Sequence, residues 1–184
     1  MRKYERVREV LVYENRRVAV FDDAIRRPDG ESDTYFRVQY KSGTGGAVIV
    51  PELPDGRLLL LEVRRYAFDE DSVEFPRGGA EPNEATEVTA ARELFAETSL
   101  RPSRLIVMGH CRPDTSIIRV DATVYLAELT ASAEREVKVD QNEAIHNYSW
   151  LSCDEISRKA AFGAIRDGFT LSAFSLYSAY LVRR

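Results

Sequence analysis

Hydrophobic and polar residues alternate along roughly the first forty residues, a pattern typical of β-strands with one exposed face. Residues 9–15, 16–27 and 34–41 carry this alternation and are rich in Val, Tyr and Phe. A Pro-Asp-Gly sequence at residues 28–30 predicts a tight turn between the second stretch and the third. The pattern therefore predicts an antiparallel meander over residues near 4–41.

Two nearly continuous apolar runs follow, at residues 45–53 and 54–66, and they are typical of strands covered on both faces. Residues 104–112, 119–129 and 145–152 have the same character and predict three further strands. The second part of the chain is therefore expected to form a largely buried sheet.

Residues 83–98 predict a helix, with Asn83 as the N-cap. Its expected apolar stripe consists of Ala85, Val88, Ala91, Leu94 and Phe95.

Two more helices are expected near the end of the chain. Ser152 and Glu155 form a capping box that opens a helix near residues 153–161. Residues 170–183 predict an amphipathic helix whose apolar side consists of Leu171, Phe174, Leu181 and either Tyr177 or Ser178. Hairpins mixed with helices predict an α/β (α+β) fold with helices packed on a mixed sheet, rather than a strict βαβ repeat.

Composition narrows the classes of function. The 184 residues suit one domain, or one domain with a small appendage. A net charge of −4 argues against broad nucleic-acid binding. The chain has no apolar run long enough to span a membrane and no apolar leader, so neither a membrane association nor a secretory signal is expected. Cys111 and Cys153 are isolated, as in a cytoplasmic protein without a zinc cluster.

The chemistry is concentrated in residues 77–100. Glu93 and Glu97 lie one helical turn apart, and like charges at that spacing destabilise a helix unless a cation neutralises them. Mg²⁺ prefers such oxygen ligands together with substrate phosphates. The alternative for an E-x-x-x-E pair taken alone is a solvated surface helix. Glycine at position 78 favours close approach of the loop to a metal or phosphate, and a Glu84–Arg92 ion pair would pin that loop to the helix.

The complete spacing is more specific than the carboxylate pair. Gly78, then Glu84, then Arg92-Glu93-Leu94 and finally Glu97 resemble the Nudix box, G-x5-E-x7-R-E-U-x-E-E-x-G-U, in which U is apolar. Leu100 matches the last apolar position. Ala96 replaces the first Glu of the EE pair, and Ser99 replaces the Gly.

The resemblance extends over nearly all of residues 44–181 and points to the branch that hydrolyses ADP-ribose and nucleoside diphosphate sugars. It implies a Nudix-like α/β/α sandwich with a mixed sheet at residues 43–184. It also implies that residues 1–42 form a small antiparallel sheet that serves as a dimerisation subdomain.

The resemblance also implies roles for individual residues. Metal binding, by Mg²⁺ or Mn²⁺, falls to Glu93, Glu97 and the main-chain carbonyl of Arg77. The catalytic residues are Glu143, as the general base, with Glu97 and Arg92. Gly78 and Glu84 brace the loop. The residues expected to contact the substrate are Arg64, Arg65, Glu74 and Arg112.

The implied activity is Mg²⁺-dependent hydrolysis of the pyrophosphate bond in ADP-ribose or a related nucleotide sugar. The products are a nucleoside monophosphate and a sugar phosphate, and the expected assembly is a cytoplasmic homodimer. Ala96 motivates a different hypothesis, because it removes one possible metal ligand or base. Under that hypothesis the domain binds a nucleotide without hydrolysing it, as a sensor or regulatory module.

Overall fold

The computed structural model describes residues 3–41 and 45–183, and within them the chain forms two β-sheets and three α-helices. The strands that begin the smaller sheet are β1 (Glu5–Arg8), β2 (Leu11–Glu14), β3 (Val18–Arg26) and β4 (Ser32–Tyr40). β3 pairs antiparallel with β4 along its whole length, and β1 and β2 both pair with β3. The predicted N-terminal antiparallel strands are therefore present.

The larger sheet holds seven strands of the described chain. They are β5 (Gly46–Glu52), β6 (Leu58–Arg65), β7 (Glu70–Glu74), β8 (Arg77–Gly79), β9 (Arg104–Cys111), β11 (Ala122–Glu128) and β12 (Ile145–Leu151). Their order is β12-β6-β5-β11-β9, with β7 beside β6 and β8 beside β5. The pairing of β5 with β11 is parallel, so the predicted mixed sheet is confirmed. β7 and β8 are short and polar, and the apolar pattern did not predict them.

One short strand joins the two sheets. β10 (Ile118–Arg119) comes from the connection between β9 and β11, yet it pairs in parallel with β4 of the smaller sheet. The sequence did not predict β10, because two residues are too few to show a period.

Helices cover both faces of the larger sheet. They are α1 (Thr86–Thr98), α2 (Cys153–Ala161) and α3 (Gly168–Leu181). The core beneath α1 includes Ile49 and Leu94, and the core beneath α2 and α3 includes Val48 and Tyr177. Neighbouring residues of β5 thus enter opposite cores, which confirms the α/β/α sandwich. Each helix within the described ranges is too short or too polar to span a bilayer.

The predicted start of α1 is wrong, and of its predicted apolar stripe only Leu94 is fully buried. Asn83 has a positive φ of 65° in the preceding loop, and the helix begins after Ala85, which makes no side-chain cap. Val88 and Phe95 are 57% and 42% exposed. The buried residues are Thr89, Ala90, Leu94, Glu97 and Thr98. The inner face of α1 combines small residues with a carboxylate, so hydrophobicity did not identify it.

The prediction for α2 is confirmed: Ser152 and Glu155 form the reciprocal capping box, and the helix covers residues 153–161. α3 begins at Gly168, two residues earlier than predicted, because the side chain of Asp167 caps it. Its predicted face is only partly right. Leu171 and Leu181 are exposed, whereas the buried residues are Thr170, Ala173 and Tyr177.

Candidate active site

The candidate site lies where β8 meets the inner face of α1. β8 pairs antiparallel with β5, and this pairing sets Gly78 opposite Ala47. A Cβ built on Gly78 would lie only 2.0 Å from Cδ of Glu93. A side chain at position 78 would therefore displace the Glu93 carboxylate, which occupies that space.

Glu97 is a buried acid on the same face of α1, with 7% of its surface exposed. Its Oε2 accepts a hydrogen bond from the main-chain amide of Arg77, 3.3 Å away. Burial raises the pKa of Glu97 to about 8, and the negative charges of Glu93 and Glu143 add to the increase. In the metal-free protein this carboxyl group is therefore largely protonated at neutral pH.

Burial also raises the pKa of Glu93, and the hydrogen bond from Arg92 opposes that increase without cancelling it. Two acids that both resist ionisation, one turn apart, are an arrangement that a divalent cation would stabilise. Within the described residues, Glu97 takes part in no salt bridge, and Arg92 is shared between Glu93 and Glu84. Arg92 therefore balances Glu93 only in part, and Glu97 has no ion-pair partner among the described residues.

The oxygen atoms present fit Mg²⁺ or Mn²⁺ better than a softer metal. No group of three or more His, Cys, Asp or Glu side chains in the described part of the chain is arranged around a common metal position. Mg²⁺ commonly takes one or two carboxylates and completes its shell with water and phosphate oxygens. Glu93 and Glu97, with the adjacent main chain at Arg77, match that requirement.

Arg92 ties the loop before α1 to the carboxylate pair. Its Nε and Nη2 each lie 2.9 Å from an oxygen of Glu84, and its Nη1 lies 2.6 Å from Oε1 of Glu93. Nη2 also donates to the carbonyl of Gly79 at 3.0 Å. The guanidinium thus fixes both the loop and the orientation of Glu93.

Glu84 is held from two further directions. Its Oε2 accepts hydrogen bonds from the amide of Glu81 and the hydroxyl of Thr89, both at 2.9 Å. The hydrogen bond from Arg92 is the main reason that the pKa of Glu84 falls to about 2. The sequence analysis did not identify Thr89 as a partner of Glu84. Its position five residues after Glu84 could have indicated the contact.

Glu74 is the centre of an ion cluster beneath β8 and is only 2% exposed. Arg65 donates to its two oxygens at 2.8 and 2.5 Å, and Nε of Arg77 donates at 3.1 Å. Burial raises the pKa of Glu74, but the two arginines outweigh that effect and the net pKa is lowered. Glu74 thus joins the guanidinium groups of Arg65 and Arg77, and a direct contact of Glu74 or Arg65 with substrate stays a prediction.

Arg77 extends this cluster to the start of α3. Its Nη2 lies 3.5 Å from Oδ1 of Asp167, and its guanidinium carbon lies 4.8 Å from the ring centre of Phe169. Sequence reasoning missed both partners, because about ninety residues separate them from the box and no motif links them.

Two of the predicted substrate residues pair with acids other than Glu93 and Glu97. Arg64 pairs with Asp69 at 2.5 Å on the hairpin between β6 and β7. Arg112 pairs with Asp121 at 2.7 Å in the connection between β9 and β11. Neither Arg64 nor Arg112 pairs with Glu93 or Glu97 among the described residues, and a role for either in substrate binding stays a prediction.

Glu143, the predicted base, ends an exposed 3-10 turn (Gln141–Glu143). Two main-chain hydrogen bonds anchor the segment before it to the end of α1, from Lys138 to Thr98 at 2.9 Å and from Asp140 to Glu97 at 3.2 Å. The charge of Glu143 reaches both site carboxylates, since it raises their pKa values. The structure thus brings Glu143 into the electrostatic environment of the site.

Comparison with known proteins gives a family match. Residues 44–171 match the model of the NUDIX domain. A CMP-5'-(N-acetyl-N-hydroxy-3-aminopropyl)phosphonate hydrolase of Streptomyces rubellomurinus (strain ATCC 31215) is 28% identical over 120 residues, which cover 65% of this chain and 57% of the relative. The chain thus spans little more than half the length of that protein.

One further relative and one solved structure are also similar to this chain. An ADP-ribose pyrophosphatase of Bacillus subtilis (strain 168) is 21% identical over 134 residues, covering 73% of this chain and 71% of the relative. A crystal structure of an ADP compounds hydrolase superimposes with a TM-score of 0.79 at 17% identity, covering 97% of this chain and 94% of the other. At that identity the superposition establishes the fold.

Proposed function

Because this chain belongs to the NUDIX family, we propose that it hydrolyses the pyrophosphate bond of ADP-ribose or a related nucleoside diphosphate sugar with Mg²⁺ or Mn²⁺. The products are a nucleoside monophosphate and a sugar phosphate. The observation that carries the proposal is the pair of acids on the inner face of α1. Glu93 lies against Gly78, and Glu97 is buried and takes part in no salt bridge among the described residues.

Each side chain has a distinct task in the proposed reaction. Glu93, Glu97 and the carbonyl of Arg77 would hold a divalent cation, which would supply positive charge to the diphosphate oxygens and make an attacking water more acidic. Arg92 holds Glu93 in place through the fork of hydrogen bonds that also reaches Glu84. This bracing fixes the geometry before substrate arrives.

Glu143 is the proposed general base. Its exposed turn stands beside the carboxylate pair, and it can accept the proton of the attacking water. Glu143→Gln is expected to lower kcat by about 10² to 10⁴ with a smaller change in KM, since general base catalysis contributes in that range. Loss of the acidic limb of the pH–kcat profile would identify Glu143 as the base. An unchanged profile would assign that role elsewhere.

The smaller sheet is the proposed dimerisation surface, and the protein is proposed to act as a cytoplasmic homodimer. Large apolar side chains on this sheet are exposed, namely Tyr4, Val7, Leu11, Val12, Tyr13, Phe36 and Tyr40. The proposed division between residues 1–42 and 43–184 falls outside the described residues. Sedimentation analysis of the full chain tests the dimer, and a monomer at micromolar concentration would contradict it.

The activity is tested with purified protein and a panel of nucleoside diphosphate sugars, with Mg²⁺ or Mn²⁺. Phosphate released after phosphatase treatment reports cleavage. Glu97→Gln is expected to abolish turnover, because it removes one of two carboxylate ligands. Glu87→Gln, an exposed position on the same helix, is the matched control and is expected to keep full activity.

The sensor hypothesis makes the opposite prediction: tight nucleotide binding without turnover of any compound. Ala96 is exposed on α1, and its presence leaves both Glu93 and Glu97 on the inner face. The site therefore supports hydrolysis more strongly than binding alone. Failure of the whole panel under both metals would reverse this preference.

A further inference from the structure

A second feature of the site is a cavity of about 660 Å³ that opens in front of the box glycines. Its floor includes Gly45, Gly46, Gly78 and Gly79. A Cβ on Gly46 would lie 2.5 Å from the carbonyl oxygen of Gly78. Gly78 lines the cavity and also lies against the Glu93 carboxylate, so the cavity adjoins the carboxylate site.

The cavity is strongly positive within a mildly acidic protein. Its described lining contains no Asp or Glu but five cationic residues, which are Arg16, Arg17, Lys41, Arg77 and Arg119. The whole chain has a formal charge of −4. Clustering of one sign of charge in a concave surface focuses the potential and attracts a ligand of opposite sign.

Backbone pairing brings four of these cations, all except Arg77, together from three separate segments. The amide of Lys41 donates to the carbonyl of Arg17 at 2.8 Å, which joins the β2–β3 turn to the end of β4. The parallel pairing of β10 with β4 sets Arg119 opposite Gln39. Nη1 of Arg119 also donates to Oε1 of Gln39 at 3.3 Å. The smaller sheet and its turns thus supply four of the five cations, and β8 of the larger sheet supplies Arg77.

Two of the five cations are already neutralised by nearby acids. Arg77 pairs with Glu74 at 2.9 Å, and Lys41 pairs with Glu14 at 2.9 Å. Three others take part in no salt bridge among the described residues, namely Arg16, Arg17 and Arg119. These three guanidinium groups remain available for an anion.

A diphosphate whose charge is already balanced by divalent cations does not need three further arginines. The planar guanidinium binds phosphate oxygens in pairs, which favours a phosphate monoester as the additional anion. We propose that this cavity binds a phosphate monoester carried by the substrate beyond its diphosphate. The preferred substrates are then nucleoside diphosphate derivatives with an extra phosphate on a ribose or sugar, an inference that rests on the proposed function.

Substrate pairs that differ by one phosphate test this proposal. NADPH is compared with NADH, and coenzyme A with dephospho-coenzyme A, by following the released nucleotide products at constant metal and ionic strength. The member with the extra phosphate is expected to have a kcat/KM higher by about tenfold to hundredfold, as for hydrogen bonds to a charged group. The preference should decrease with added salt.

Variants separate this cavity from the catalytic site. The triple variant Arg16→Gln, Arg17→Gln, Arg119→Gln is expected to bring the kcat/KM ratio within each pair close to one. Arg135→Gln removes an exposed arginine outside the cavity and is expected to keep the ratio. Circular dichroism and thermal unfolding of each variant show whether it is folded.

Three results would overturn the inference. The first is a wild-type kcat/KM ratio of one or below in both substrate pairs. The second is a kcat/KM ratio that the folded triple variant leaves unchanged. The third is an equal loss of kcat/KM for both members of a pair in that variant. The last would show that the arginines serve the diphosphate alone. If no compound is hydrolysed, the proposed function fails. The affinities of the protein for adenosine 2′,5′-bisphosphate and for AMP, measured by calorimetry, then decide the inference. It is supported only if the wild type binds the bisphosphate more tightly and the triple variant loses that preference.

Discussion

Glu93 packs its carboxylate against the Cα of Gly78, so closely that a Cβ at residue 78 would lie 2.0 Å from Cδ of Glu93. This contact couples the position of strand β8 to that of helix α1. Any side chain at residue 78 must displace the carboxylate proposed to bind metal.

Gly78→Ala is therefore expected to lower kcat/KM by about 10²-fold or more, since a displacement near 1 Å at a reacting centre has that effect. Steady-state kinetics over a range of Mg²⁺ concentrations measure it. Gly168→Ala is the control, because a Cβ there would meet Cβ of Pro113 at an ordinary 3.7 Å. Equal activity of Gly78→Ala and the wild type would contradict the packing argument.

Arg92→Lys keeps the positive charge but removes the fork that joins Glu84, Glu93 and the carbonyl of Gly79. Activity or metal affinity is expected to fall by about tenfold to hundredfold, the usual effect of losing a group that orients a metal ligand. Kinetics and Mn²⁺ binding by electron paramagnetic resonance measure the two quantities.

Arg57→Lys is the matched control for Arg92→Lys, because Arg57 also bridges two acids, Asp55 and Glu134, on a turn away from the site. We expect its activity to stay at the wild-type level. If both substitutions reduced activity equally, the fork at Arg92 would have no special role.

Without metal, the stability of the fold is expected to fall as the pH rises from about 4.5 to about 8. Burial raises the pKa of Glu97 from 4.5 to about 8, so the folded state binds a proton that the unfolded state has lost. Each pKa unit of difference corresponds to roughly 1.4 kcal/mol at most. Urea unfolding in a chelator, repeated across this pH range, measures the slope.

Glu97→Gln is the comparison for this experiment, because the amide cannot ionise. Its free energy of unfolding is expected to vary less over the same pH range, and a saturating concentration of Mg²⁺ should stabilise the wild type at high pH. Identical slopes for wild type and Glu97→Gln would mean that Glu97 does not titrate as described.

Ser99→Gly is expected to stabilise the protein by about 0.5–1 kcal/mol, because Ser99 ends α1 in the left-handed region, where glycine is not strained. Its φ is 62°. The substitution removes the Ser99 hydroxyl, which donates one long hydrogen bond of 3.3 Å to the carbonyl of Lys138. Thermal unfolding measures the gain, and Ser99→Ala isolates the hydroxyl. A Tm for Ser99→Gly no higher than that for Ser99→Ala would contradict the strain argument.

The arrangement of residues in the Nudix box could be predicted from the sequence because it depends on the repeat of the α-helix. Four residues make about one helical turn, so Glu93 and Glu97 must share a face. The ion pair of Glu84 with Arg92 follows from the same helix together with a short loop. The apolar strands of the larger sheet were also identified, because full burial leaves long hydrophobic runs.

The remaining features depend on contacts between distant segments. No local pattern places Asp167 beside Arg77, and none sets Arg119 beside the β2–β3 turn. The inner face of α1 was predicted wrongly for a related reason. Its buried Thr89 and Glu97 serve the site, and a hydrophobic stripe is the wrong signal for a helix that presents polar groups inward.

The two-residue strand β10 pairs with β4 by the residues Ile118 and Arg119, although the chain on either side of it belongs to the larger sheet. The two halves of the molecule are therefore not interchangeable modules. A chimaera that received its first forty residues from a relative would have to match this short register to rebuild the arginine-lined cavity. A chimaera would then take on the substrate preference of a relative only if the first forty residues and the segment that contains β10 both came from that relative.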